Sequence, residues 1–368
     1  MNAPDALLAY CRAGFESEAA EELLASARTV GTTLRVLRAD PQSGFALLVA
    51  VRPFDVSVLR RLDGRTLCFC RQVIWTSAEP LQLGDRDRVS PIAAALDALR
   101  IFAGELGEFW VEHPDTNDGK SLSTLGRAIE PRIAQVVGLK RSGAWRAHAF
   151  LLNKAEAQVG LTLPGLSIPW RMGIPRLRMP GEAPSRSTLK LAEALLFFLG
   201  GHEEEFLKPG MRAVDLGAAP GGWTWQLIHR GLHVTAVDNG ELKGELRDNA
   251  LVKHLREDGF RYRPKRPVEW LVCDMVEQPV RIATLVAEWV ATDTAQHAIF
   301  NLKLPMKKRM AELARCRAVM AERMDESGAH YHLAFRQLYH DREEVTGFLT
   351  RHAKRLDRLQ RLNSTSVS

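Results

Sequence analysis

Ala213-Val-Asp-Leu-Gly-Ala-Ala-Pro-Gly-Gly-Trp223 is the stretch on which the fold turns. Val214 completes a short apolar strand, and Asp215 and Gly217 mark its carboxyl end. Pro220, Gly221 and Gly222 form a tight loop, and residues 223–228 begin a helix. A strand, a glycine-rich turn and a helix are how an open α/β sheet holds a nucleotide-like ligand. Glycines serve there because a side chain would keep the ligand off the backbone. The spacing excludes one relative. The dinucleotide fingerprint needs Gly-x-Gly-x-x-Gly, and here Gly217 is followed by Ala218-Ala219. A Pro-Gly-Gly turn with no phosphate-binding lysine suits a ligand without phosphate, and S-adenosylmethionine (SAM) is such a ligand.

Around this turn the pattern is regular. A helix is expected over 188–199, with Ser187 as its N-cap. Strands are expected at 212–216, 232–238, 259–263, 268–274 and 297–303, and a last one near 343–350. Alternating strands and helices predict a doubly wound, mostly parallel sheet over 188–368.

The first half reads differently. Strands are expected at 7–11, 35–38, 45–51, 67–75, 108–112 and 148–152. Helices are expected at 16–24, 92–102 and 123–137, and residues 115–120 read as a polar loop. This irregular mixture predicts α+β layers over 1–163. Between the two, 164–187 carries Pro164, Pro169, Pro175, Pro180 and Pro184 with several arginines, and reads as a stiff, basic connector.

Composition sets the remaining bounds. The 368 residues suffice for two or three domains, and 46% hydrophobic with 26% charged residues is ordinary for a protein with a full core. No apolar run approaches the roughly 18–20 residues that span a bilayer. Glu16, Glu18, Glu21 and Glu22 are unlike a signal peptide. The five cysteines are odd in number and scattered, which predicts a reducing, cytoplasmic setting without disulfides. Cys68-x-Cys70 lacks a second pair at zinc spacing, so no metal is expected. The net charge of +6 fits a polyanionic partner, as do two basic clusters: Lys303, Lys307, Lys308 and Arg309, then Arg351, Lys354, Arg355, Arg358 and Arg361. A solvated helix face explains each cluster equally well. A monomer is the default expectation.

The residues that end each strand matter most, because ligands in such sheets lie there. Asp238 ends Val234-Thr-Ala-Val-Asp, close to the roughly 20-residue spacing from the first strand at which an acid reaches a ribose diol. Asp258 sits at the next expected tip, where an adenine amino group or a plain turn would engage it. Asp274 ends Trp270-Leu-Val-Cys-Asp. Lys303 ends Ala298-Ile-Phe-Asn-Leu-Lys, an unusual place for a charge that is costly to bury. Lys190, at the start of the 188–199 helix, and Glu344, at the start of the final strand, complete a candidate set.

Asp215-Leu-Gly-Ala-Ala-Pro-Gly-Gly-Trp223, followed by an Asp and a Lys at later strand ends, resembles the FtsJ-type RNA ribose 2′-O-methyltransferases. The segments 183–191, 272–277, 300–309 and 336–346 are similar to the bacterial members that act on a cytidine of 23S ribosomal RNA. The resemblance implies a Rossmann-like domain, an enzyme that uses SAM, and a tetrad of Lys190, Asp274, Lys303 and Glu344 with Lys303 as proton acceptor. It implies SAM contacts at Ser187, Ala219, Pro220, Gly221, Gly222, Asp238, Asp258 and Asp274. It also implies an amino-terminal THUMP-type RNA-binding region. Glu343 and Glu344 are adjacent, so strand alternation sends them to opposite faces; Glu344, followed directly by Val-Thr, is the choice.

Two rival readings bring different chemistry. An RNA cytosine C5-methyltransferase needs a nucleophilic cysteine, and only Cys273 is near the site, one residue out of phase with Asp274. A non-catalytic RNA-binding factor would not need the complete tetrad.

Overall fold

The computed structural model describes residues 4–53, 56–162 and 168–365. Residue 163, at the expected end of the first region, and 164–167, at the start of the expected connector, lie outside these. The chain divides into two compact units that part between Pro175 and Arg176.

The first unit contains β1 (Ala6–Tyr10), β2 (Leu34–Arg38), β3 (Phe45–Ala50), β4 (Gln72–Thr76), β5 (Leu81–Gln82), β6 (Leu106–Glu112), β7 (Trp145–Leu151) and β8 (Glu156–Thr162). They form one sheet in the order β2-β3-β1-β4-β8-β7-β6, with β5 added on β8. Leu8 on β1 lies opposite Leu47 on β3 and Ile74 on β4. The period of two sends these side chains to one face, where they pack with Tyr10, Phe45 and Phe150.

Several expectations are corrected here. Residues 67–71 are not strand. The Glu22 carboxylate accepts the N–H groups of Phe69 (2.8 Å) and Cys70 (3.2 Å), so these amides serve a side chain instead of a ladder. The polar stretch 115–120 contains a short helix, Asn117–Ser121, because Thr116 Oγ1 caps it by accepting from Gly119 N–H at 2.9 Å. Strand β8 went unread: Gln158, Gly160 and Thr162 dilute its apolar signal, yet Gln158 Oε1 accepts from Thr76 Oγ1 inside the sheet. Residues 168–174, within the expected connector, pack in the first unit. Ile168, Met172 and Ile174 are buried, and Arg171 forms a forked pair with Glu130 at 2.6 and 2.8 Å.

The second unit contains β9 (Arg212–Leu216), β10 (His233–Val237), β11 (Val252–Leu255), β12 (Val268–Cys273), β13 (Ala295–Lys303), β14 (His332–Arg336) and β15 (Glu344–Thr350). Their order is β11-β10-β9-β12-β13-β15-β14. The first five are parallel, and β15 enters antiparallel between β13 and β14. Helices Thr188–Leu199 and Gly222–Ile228 help cover the sheet, with Leu191, Leu195, Phe198, Trp225, Trp270 and Phe348 in one core. The order reverses at β9, with β10 on one side and β12 on the other, which opens a crevice at the carboxyl ends of these strands.

Three details differ from expectation. Residues 259–263 are a turn, built by Asp258, whose carboxylate accepts from Phe260 N–H at 2.9 Å. The strand lies earlier, at 252–255, so Asp258 follows a strand instead of preceding one. Ser187 does not cap its helix: its backbone is already helical (φ −62°, ψ −20°), and its hydroxyl pairs with Ser185 Oγ at 2.7 Å. Strand β14 was missed because Arg336 is buried where a leucine would signal a strand.

Candidate active site

Asp238 follows β10 and shapes the crevice floor. Its two carboxylate oxygens accept from Ala219 N–H at 3.0 Å and Gly240 N–H at 2.7 Å. One residue thereby ties the Pro-Gly-Gly loop to the turn after β10. Each oxygen keeps a second lone pair, so the carboxylate still fits a ribose diol.

The loop glycines serve packing as well. A Cβ on Gly222 would lie 2.3 Å from Ser187 Oγ and 2.9 Å from Thr188 N. One on Gly221, where φ is +114°, would strike Leu246. The neighbours these glycines make room for include protein atoms, Ser187 and Thr188 beside Gly222 and Leu246 beside Gly221.

Asp215, near the end of β9, is fully buried and accepts from Thr224 Oγ1 at 2.6 Å. Burial pushes its pKa up to about 7, although the Thr224 hydrogen bond pulls the other way. It anchors the helix after the glycine turn from below.

The tetrad candidates arise from strand register. Lys303 on β13 lies opposite Glu344 on β15, and Asn301 lies opposite Thr346. On the other side, Cys273 of β12 lies beside Phe300, which brings Asp274 level with Asn301. Asp274 N–H donates to Leu216 O at 3.2 Å, so this acid sits against the end of β9. Its carboxylate has Lys190 Nζ at 3.9 Å and Lys303 Nζ at 3.8 Å. Lys190 also bonds Glu344 Oε1. Glu343 turns away to Arg309, at 2.8 Å. All four candidates thus converge on one cluster.

The two lysines differ. Lys190 is 14% exposed and bonded to Glu344; Lys303 is 31% exposed. Burial alone would lower the Lys190 pKa. Asp274, the hydrogen bond to Glu344 and the charge of Glu344 outweigh it, so the net shift is upward and Lys190 is held as an ammonium.

Sequence reasoning missed three residues of this cluster. Asn301 Nδ2 donates to Asp274 Oδ1 at 2.9 Å, and Thr346 and Asp341 stand behind Asn301. A signal existed for two of them. Asn301 is two residues before Lys303 and Thr346 two after Glu344, so each shares a strand face with a tetrad residue. Asp341 lies in a loop and carried none.

Cys273 is fully buried, and burial pushes its thiol up to about 12. It is neither a thiolate nor within the crevice. Several basic side chains are already engaged: Arg309 by Glu343, Arg351 by Asp293 and Arg355 by Glu205. Among the described residues no helix is long and apolar enough to cross a membrane, and no group of three metal-ligating side chains forms.

Comparison with known proteins places this geometry. Residues 183–349 match the FtsJ-like methyltransferase family, which makes the second unit a SAM-dependent methyltransferase. Residues 5–74 match the RlmM ferredoxin-like domain, and 87–163 the N-terminal part of ribosomal RNA large subunit methyltransferase M. The relative from Methylococcus capsulatus with that last name is 50% identical over 354 residues, covering 95% of this chain and 99% of its own. That from Laribacter hongkongensis is 48% identical, covering 94% and 97%. Among solved structures, TrmN from Thermus thermophilus aligns over 94% of this chain and 98% of its own at 15% identity, but its TM-score of 0.33 is too low to add to the argument. Half of all positions shared along nearly the whole length of both proteins leave one conclusion: the chain belongs to the ribosomal RNA large subunit methyltransferase M family.

Proposed function

We propose that the protein methylates the 2′-hydroxyl of a ribose, in a cytidine of 23S ribosomal RNA, with Lys303 as proton acceptor. The observation that carries this is one carboxylate, Asp274 after β12, with Lys303 at the end of the adjacent parallel strand β13 and Lys190 from the helix Thr188–Leu199 both within 4 Å of it. SAM, when bound, supplies a methyl group already activated by its sulfonium. Ser187, Ala219, Pro220, Gly221, Gly222, Asp238, Asp258 and Asp274 would hold it. The 2′-hydroxyl is a poor nucleophile until it loses its proton, so the protein must align it and supply a base. Lys190, held as an ammonium between two carboxylates, cannot take that proton. Lys303, the more exposed lysine, would take the hydroxyl proton; bound SAM would supply the methyl group to the oxygen, its sulfur departing as the thioether. The first unit supplies an RNA-binding surface; its family's name supports large-subunit ribosomal RNA as the partner.

The deciding experiment incubates the enzyme with large-subunit ribosomal RNA and labelled SAM, then digests the RNA in alkali. A ribose 2′-O-methyl group blocks cleavage, so the label must appear in an alkali-stable dinucleotide. Label in a mononucleotide would place the methyl group on a base and overturn the reading.

Two smaller expectations test the site. Asp238→Ala weakens SAM binding by about 1.5–3 kcal/mol, the range for hydrogen bonds to a charged group. Titration calorimetry measures it, and unchanged affinity in a folded variant removes Asp238 from the site. Cys273→Ala keeps most of the methyl transfer, because no thiol adduct is needed. Loss of incorporation in that variant, with a covalent complex on 5-fluorocytidine RNA in the wild type, would establish C5 chemistry.

A further inference from the structure

Behind Asp274 runs a buried chain of side chains that methyl transfer does not obviously require. Asn301, Thr346 and Asp341 are each at most 1% exposed. Thr346 Oγ1 lies 2.8 Å from Asn301 Oδ1, and 3.2 and 3.0 Å from the two oxygens of Asp341. Leu338 N–H donates to Asp341 Oδ2 at 3.0 Å. A single hydroxyl proton thus faces three oxygens.

Counting protons resolves this. Asp274 faces the Lys190 ammonium and accepts at Oδ1 from the Asn301 side chain. The Asn301 amide must therefore present its nitrogen to Asp274 and its oxygen to Thr346. An amide oxygen only accepts, so the Thr346 hydroxyl proton goes to Asn301. Only lone pairs of Oγ1 are then left for Asp341. An ionised carboxylate there would set lone pair against lone pair in a buried site, which is costly.

We propose that Asp341 is kept as a neutral carboxylic acid that donates to Thr346, so that Thr346 and Asn301 hold the Asp274 carboxylate in place between Lys190 and Lys303. Asp341 is a positioning residue in this scheme: its effect reaches the site through two others. The proposal rests on the tetrad reading above. The surroundings agree. Burial raises the Asp341 pKa well above the carboxylate range; Leu338 N–H and Lys190 oppose this, while Glu344 and Glu193 add to it. Glu193, from the helix Thr188–Leu199, pins the loop by accepting from Tyr339 N–H (2.8 Å), His340 N–H (3.1 Å) and His340 Nδ1 (2.7 Å).

The test has an arm that does not depend on activity. Asp341→Asn keeps a donor for Thr346 and an acceptor for Leu338, so it should hold a higher single-turnover rate than Asp341→Ala, which keeps neither. Infrared difference spectra of the full-length wild type against the Asn variant, at neutral pH, should show the carbonyl band of a protonated carboxyl. An ionised carboxylate band in its place overturns the proposal. Should the Asn variant fail to fold, position 346 decides. Thr346→Val should lose about tenfold or more in rate, since misplacing a reacting group by about 1 Å costs roughly 10²-fold. Thr346→Ser should restore the rate. An unimpaired Thr346→Val variant overturns the proposal. A wrong tetrad reading looks different: Lys303→Ala would then keep its rate while the carboxyl band remained.

Discussion

Lys303→Ala lowers the single-turnover rate of methyl transfer by roughly 10²–10⁴-fold, the usual contribution of a positioned general base. SAM affinity stays nearly unchanged, because Lys303 acts on the hydroxyl. Its amine lies 3.8 Å from Asp274 and is 31% exposed, open to an incoming nucleotide. Lys303→Arg keeps the charge and the reach but stays protonated, so it falls almost as far as the alanine variant. Rapid-quench assays with saturating SAM measure both. Near-normal turnover by the arginine variant would reduce Lys303 to a source of positive charge and hand the proton to water or another group.

Lys190→Met costs about 3 kcal/mol of stability, the lower end for breaking a buried ion pair by removing one partner. The loss is large because this ammonium serves two carboxylates at once, Glu344 directly and Asp274 at 3.9 Å, in a pocket where each is less than a fifth exposed. The sign of the pH dependence follows from the upward shift of its pKa. The folded state holds the proton more tightly than the unfolded chain, whose lysine titrates near 10.5. The stabilisation is therefore complete below about pH 10 and fades as pH rises through the folded value. Urea unfolding should show a full gap between wild type and variant at neutral pH and a narrower one in strong alkali. A gap that is constant across this range would show that packing of the aliphatic stem, and not charge, is what the variant loses.

Local signals in the sequence carried much of this. The strand Arg212–Leu216 and the helix Thr188–Leu199 match their expected bounds, because apolar runs, glycine and flanking polar residues act over a few positions. Asp238, Asp274 and Lys303 stand out as polar residues closing apolar strands. Asn301 and Thr346 did not stand out, because their meaning depends on which strand lies beside which. The antiparallel insertion of β15 beside β13 is a non-local pairing that no window of sequence contains. Asp258 was misplaced for a related reason: its turn is made by its own carboxylate, so the apolar residues that follow it never enter a ladder.

The place of β15 has a consequence for how the protein comes into being. Glu344 and Thr346 lie on β15, the last strand among the described residues, yet that strand sits inside the sheet, between β13 and β14. As the chain leaves the ribosome, the glycine turn, Asp274 and Lys303 all emerge before the strand that completes the cluster. The growing polypeptide thus passes through a long stage in which a cofactor crevice can form but the charge on Lys190 has no Glu344 to meet it. On the proposed reading, a product cut short before residue 344 would lack one member of the tetrad.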